Sequence, residues 1–279
     1  KALEAGAHVL CETPCVYSEA EARAVASSVR ETGLKYMLAE DYLWSGWSLS
    51  LQRLAREGLL GQIVYAEGDY THDCRDIMLA SEEGYVPYAE RDRRPDARKT
   101  WRATDLPPLY YTSHTLGPLL TFMEDRIVSA IGLNTGTHTA PDLGTIDLEA
   151  GLFETEKGAI VRLTNGFSVA HPYALYYNCV GTKGSVKLFS AGASVFIWYS
   201  EGAEQPDGGW RPAPAEWSDR PDERSQVEAM TGEFVESILH EHEPPLDVAR
   251  SMDFVLPGVK AHQSSLLGGK KLAVPHVGA

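Results

Sequence analysis

His114 is the side chain best suited to moving a proton, because imidazole titrates near neutral pH. It closes the run Tyr110-Tyr111-Thr112-Ser113-His114. Phenols three and four residues earlier share a face with it if a helix starts early enough. A phenol beside an imidazole can orient the ring or relay its proton, so His114 and Tyr111 form the candidate catalytic pair. Tyr70 and His72 alternate along an extended run and share one strand face. With Arg102 and Tyr110 they are candidate substrate contacts. Arg102 follows Trp101 and suits hydroxyls or a carboxylate, or else a surface ion pair. Two further groups, Glu12-Thr13-Pro14 and the stretch Glu40 to Trp44, each follow a short apolar run. Open α/β sheets hold ligands beyond the carboxyl ends of their strands. Glu12, Thr13, Pro14, Glu40, Tyr42 and Trp44 are therefore candidate cofactor contacts.

The elements that must position these residues are legible from periodicity. The run His8 to Cys11 reads as a strand. Ser18-Glu19-Ala20-Glu21 has the form of a capping box; Ala22, Val25, Ala26 and Val29 repeat at helical spacing, and Gly33 closes the helix. Leu34 to Leu38 reads as a second strand, so the order is β-α-β, the pattern of a parallel sheet. Trp47, Leu51, Leu54 and Ala55 mark a helix ended by Gly58. From Gln62 to Cys74 the period becomes two: Ile63, Tyr65, Glu67, Asp69, Thr71 and Asp73 share one face, and Val64, Ala66, Gly68, Tyr70 and His72 the other. Residues 75–100 are polar and read as a solvated loop, or as a lid or subunit contact. A helix is expected from His114 to Met123. Extended segments follow near 126–137, 145–156, 159–169, 174–189 and 195–199, then a loop over 200–222. Helices near 223–241 and 247–265 and a short strand near Leu272 end the chain.

The fold expected is α/β followed by α+β: a truncated, doubly wound Rossmann-type half domain, then a large, mainly antiparallel sheet with helices on one face. The corresponding division is 1–42 for the nucleotide-domain remnant, 43–265 for the substrate and oligomerisation domain, and 266–279 for a tail. The opening Lys1 to Gly6 reads as the tail of a helix, which suggests part of a longer protein. A sheet this wide needs its second face covered, so a homodimer or homotetramer through the sheet is expected.

Composition limits the partners. With 25 Lys and Arg against 39 Asp and Glu, the formal net charge is -14, which argues against nucleic acid. No apolar run is long enough to span a membrane and no secretory leader opens the chain, so the cytoplasm is the expected compartment. Cys11, Cys15, Cys74 and Cys179 read as reduced, mostly buried thiols. No metal is expected: Cys11, Cys15, His72 and Cys74 lack the common zinc spacings, and His240-Glu241-His242-Glu243 reads as a solvated helix end.

The stretches Ala5 to Pro14, Glu57-Gly58-Leu59-Leu60-Gly61-Gln62-Ile63 and Leu266 to Pro275 resemble the Gfo/Idh/MocA oxidoreductases. That resemblance implies hydride exchange between NAD or NADP and a carbon of a sugar or polyol. Ala66 to Asp73 and Tyr110 to Pro118 are similar to the NAD-dependent family 109 glycoside hydrolases. This branch implies oxidation of a sugar hydroxyl, elimination of the aglycone, addition of water and reduction of the ketone. Two departures stand out. The usual Glu-Lys-Pro is here Glu12-Thr13-Pro14, and Tyr110 replaces an Asp common four residues before the active-site His. The lost Lys disfavours an ordinary sugar dehydrogenase; the glycosidase branch lacks it too. G-x-G-x-x-G occurs nowhere in the chain. A binding or assembly module without catalysis is therefore the competing expectation.

Overall fold

The computed structural model describes residues 1–189, 195–199, 209–214 and 224–278. Strand β1 (Val9–Cys11), helix α1 (Glu19–Thr32) and strand β2 (Tyr36–Leu38) form the β-α-β unit, and β1 pairs β2 in parallel. Ser18 accepts from the Glu21 N–H at the start of α1, while the Glu21 carboxylate reaches back to the Tyr17 N–H. Gly33 ends the helix at φ 66°, a conformation that glycine adopts without penalty. The bend after β1 contains a cis Thr13–Pro14 peptide. A 3₁₀ turn, Asp41–Trp44, follows β2 and leads into helix α2 (Gly46–Arg56).

Strand β3 (Ile63–Thr71) enters the large sheet. The insertion after it is not a plain loop: it folds into a small sheet of β4 (Leu79–Ser81), β5 (Gly84–Tyr85) and β6 (Arg98–Lys99). Arg94 links this hairpin by hydrogen-bonding Ser81 and pairing with Asp96. Helix α3 (Trp101–Thr104), a 3₁₀ turn over Pro108–Tyr111 and helix α4 (Ser113–Met123) come next. Strands β7 (Ile127–Asn134), β8 (Leu148–Thr155), β9 (Ile160–Gly166), β10 (Ala174–Gly181), β11 (Gly184–Leu188), β12 (Phe196–Tyr199) and β13 (Arg211–Pro212) follow. The extended segment over 174–189 is a two-strand hairpin that turns at Gly181-Thr182-Lys183-Gly184. Most of the loop expected over 200–222 lies outside the described residues. Helices α5 (Gln226–Leu239) and α6 (Val248–Leu266) and strand β14 (Leu272–Ala273) complete the fold. Ser225 and Glu228 form a full capping box at the start of α5.

The sheet order is β13-β12-β11-β10-β3-β9-β8-β7-β14. Every pairing in it is antiparallel except β3 with β9. Helices α4 and α6 cover one face. Glycines let them approach: a Cβ on Gly132 would lie 2.0 Å from the Ala261 carbonyl of α6, and one on Gly68 would meet Leu119 and Thr115 of α4 at 3.4 Å. On the other face Glu67 accepts from Tyr65, Tyr176, Asn178 and Arg162. Register places Leu133, Leu152 and Ile160 on that same face, and all three are exposed.

Candidate functional site

The helix face of β3 meets the ends of β1 and β2 around His114. Helix α4 begins at Ser113, so His114 stands in its first turn, with its side chain nearly buried. The ring Nδ1 donates to Glu40, with both carboxylate oxygens at 2.8 Å, and Glu40 is fully buried. Gly117 makes this possible, because a Cβ there would come within 3.3 Å of the Glu40 side chain. Tyr42 stacks on the imidazole at 4.3 Å and 25°. Tyr111 and Tyr70 present their rings edge-on at 4.8 and 5.1 Å. Tyr42 is held in turn by a 2.8 Å hydrogen bond between its hydroxyl and that of Tyr173. No described group hydrogen-bonds Nε2 of His114.

Electrostatics favour a protonated imidazole. Desolvation pulls its pKa down, but the charge and hydrogen bond of Glu40, with Asp41 and Glu12 adding to them, outweigh it; the net shift is upward. Desolvation raises the phenols of Tyr70 and Tyr111 well above their ordinary value, so both stay neutral. Burial likewise raises the Glu12 carboxyl, opposed by His114.

The backbone of His114 is fixed by a substitution of partners. Pro118 has no N–H to donate to the His114 carbonyl four residues earlier. The buried Tyr177 hydroxyl donates to that carbonyl instead. The preceding turn is clamped on several sides. Asn165 Nδ2 donates to the Pro108 and Tyr111 carbonyls at 3.2 and 3.1 Å. The Leu109 N–H donates to Glu149 at 2.9 Å, and Thr112 donates to Phe254 O at 2.9 Å. Gly258 of α6 lets the Leu109 carbonyl approach so closely that a Cβ would sit 1.9 Å from it.

Most of the residues singled out by sequence converge here. Tyr70, His72, Arg102 and Tyr111 line one cavity of about 140 Å³ with Cys74, Ile77, Met78, Leu106 and Phe167. Glu40 and Tyr42 touch His114 directly. Glu12 is exposed at the end of β1 and within electrostatic reach of His114. Pro14 is buried in the bend. Thr13 is spent: its hydroxyl shares a 2.6 Å hydrogen bond with that of the fully buried Ser113, tying the β1 bend to the start of α4. Two residues turn away. The ring of Tyr110 packs against Tyr17 and His262, and His262 is bonded to the buried Glu149 at 2.8 Å. Trp44 lines a separate cleft of about 480 Å³ with Leu246 and Arg250. A third cavity, of about 290 Å³, lies near Gly61 and Lys157. Neither of these larger cavities touches the His114 cluster.

Tyr173, Tyr177, Asn165 and Ser113 are contributors that the spacing did not single out. Glu40, Asp41 and His114 also bring metal-ligand-type atoms within 4.8 Å of one another. All three groups have protein partners: Glu40 and His114 are bonded to each other, and Asp41 accepts from Gln226 at 2.5 Å.

No family model matches the chain. A glycosyl hydrolase family 109 protein of Phocaeicola vulgatus is 25% identical over 199 residues, 66% of this chain and 40% of that protein. An alpha-N-acetylgalactosaminidase of Bacteroides fragilis is 24% identical over 207 residues, 67% of this chain and 47% of that protein. The chain thus spans less than half the length of these relatives. An oxidoreductase domain protein from Kribbella flavida superposes with TM-score 0.77 at 18% identity, covering 98% of this chain and 76% of that one. A levoglucosan dehydrogenase complexed with NADH superposes with TM-score 0.79 at 15% identity, covering 99% of this chain and 76% of that one. The chain is related in sequence to the family 109 glycosyl hydrolases, and it has the fold of the NAD-binding oxidoreductases.

Proposed function

We propose that this chain carries the substrate-handling and proton-transfer part of an NAD-linked enzyme that acts on a carbohydrate. One observation carries the reading: a nearly buried imidazole is oriented by a fully buried carboxylate, with its second nitrogen free of partners among the described residues. A carboxylate that holds Nδ1–H leaves Nε2 as the atom that takes or gives a proton. His114 is the acid-base group in this reading. Its neutral form accepts the proton of a sugar hydroxyl, and Glu40 stabilises the imidazolium that results. Tyr111 and Tyr70, held neutral by burial, orient the ring and wall the cavity. Thr13 carries no charge and is engaged by Ser113, so the β1 bend positions the site rather than supplying a cation to it.

A nicotinamide cofactor, when bound, supplies the hydride acceptor that oxidation of a sugar carbon requires. The residues present fit its reactive end at the β1 bend, where exposed Glu12 and the backbone to Pro14 lie beside His114, with Tyr42 as a wall. Trp44 lines another cleft and is left out of this set. The glycosidase branch is favoured over a simple dehydrogenase by the absence of a Lys at position 13. A second copy of the chain is the proposed cover for the exposed face of the sheet that carries Leu133, Leu152 and Ile160.

Calorimetry with NAD+ and NADP+ tests the cofactor reading, with micromolar binding of one of them expected. Absence of detectable binding would leave a module without cofactor chemistry. An aryl glycoside separates the two enzymes: hydrolysis without net NADH favours the glycosidase, and stoichiometric NADH growth with a free sugar favours the dehydrogenase.

A further inference from the structure

The cavity beside His114 has an unusual charge. Its walls are largely apolar: Ile77, Met78, Leu106, Phe167 and the rings of Tyr70 and Tyr111. Its other polar members are neutral at physiological pH. Burial lowers the His72 pKa, so that imidazole is uncharged. Burial pushes the Cys74 thiol up to about 12, and it lies within hydrogen-bond distance of His72. The Arg102 guanidinium is left as the charge on the wall. It lies 4.4 Å from the centroid of the Trp101 ring and donates weakly to Tyr85 at 3.4 Å. Among the described residues no carboxylate comes within 4.0 Å of it. Asp105, three residues on, forms no ion pair with it, and Glu12 interacts with it only through space without an ion pair. In the neighbouring insertion Arg75, Arg91 and Arg94 are paired with acids, while Arg98 donates to the Pro95 and Ala97 carbonyls.

The half-buried guanidinium keeps only the Trp101 ring and the Tyr85 hydroxyl as direct partners, so its fork is not satisfied by a carboxylate of the described residues. Its fork geometry matches a carboxylate or phosphate held by two parallel hydrogen bonds. We propose that the cavity takes a sugar bearing an anionic substituent, with Arg102 as the residue that binds the anion. This rests on the reading of the cavity as the substrate end of the site. It narrows that reading from carbohydrates in general to acidic ones. His72 and the Tyr85 hydroxyl are placed to add neutral hydrogen bonds to the same group.

The test is equilibrium binding to the intact chain, which needs no turnover. Saturation-transfer NMR and calorimetry are run with D-galactose, D-galacturonate and D-galactose 6-phosphate. At least about ten-fold tighter binding of one anionic sugar over galactose is expected, the gain of a charge-assisted pair. Which of the two wins identifies the substituent as carboxylate or phosphate. Arg102→Gln, checked for an unchanged melting temperature, is expected to abolish the preference, and Arg102→Lys to restore part of it. Equal binding of all three sugars, binding of none, or a preference that survives Arg102→Gln would overturn the proposal. The cofactor reading fails separately: an anionic preference with no NAD+ binding would remove the enzyme assignment and leave this site standing.

Discussion

Tyr177→Phe is the sharpest test of how the fold holds His114. The mutation deletes one buried hydroxyl and little else. In the wild type that hydroxyl donates to the His114 carbonyl, which Pro118 cannot serve. Both residues are nearly or fully buried, so water does not replace the lost donor. Leaving a buried acceptor unpaired costs about 1–3 kcal/mol. For a chain of this size each kcal/mol moves the melting temperature by roughly 2–4 °C, so a loss of several degrees is expected. The mechanism predicts a specific rescue. Pro118→Ala restores an N–H four residues after His114, the normal helical partner of that carbonyl. Combined with Tyr177→Phe it should recover about 1 kcal/mol relative to the sum of the single changes, a coupling within the range seen for direct partners. Urea unfolding of the wild type, both single variants and the double variant closes the cycle. Strict additivity, or a Tyr177→Phe cost below about 0.5 kcal/mol, would refute the argument that these two groups share one acceptor.

Further outcomes follow from the same geometry. Asn165→Ala removes the donor to two carbonyls of the 108–111 turn, so a loss of about 1–3 kcal/mol is expected by urea unfolding, with broadened Tyr111 ring resonances. Glu40→Gln removes the charge that outweighs desolvation at His114, so the ring titrates at lower pH than in the wild type, as NMR of its Cε1 proton would show. The linkage sign is definite. A raised imidazole pKa contributes stability that is fully present below the ordinary value of 6.5 and is lost as pH rises through the folded value. The wild type should therefore lose stability on that rise, and Glu40→Gln should lose less; parallel pH profiles would contradict the pairing.

Much of the site was legible in the sequence because its signals are local. Alternation along the run from Gln62 to Cys74 puts Tyr70 and His72 on one face and Glu67 and Asp69 on the other; the structure turns the Gly68 and Tyr70 face toward α4. The three-residue spacing of Tyr111 and His114 brought two rings together. What local spacing cannot carry is long-range pairing. Glu40 and His114 lie 74 residues apart, and Tyr177 meets His114 across 63. Tyr110 satisfied the same spacing rule as Tyr111, yet a 3₁₀ turn sends it to His262, whose partner Glu149 is far away in sequence. Trp44 follows the end of β2 as Tyr42 does, yet Tyr42 stacks on His114 while Trp44 lines another cleft. The insertion hid its small sheet because strands of two or three residues are too short to show a period.

The central claim is that His114 transfers the proton in NAD-linked chemistry on a sugar. The most direct measurement is the single-turnover rate of the intact chain mixed with NAD+ and sugar, compared with that of His114→Asn. The account predicts unchanged cofactor affinity and a rate lower by about 10²–10⁴-fold. An undiminished rate in the variant would contradict it.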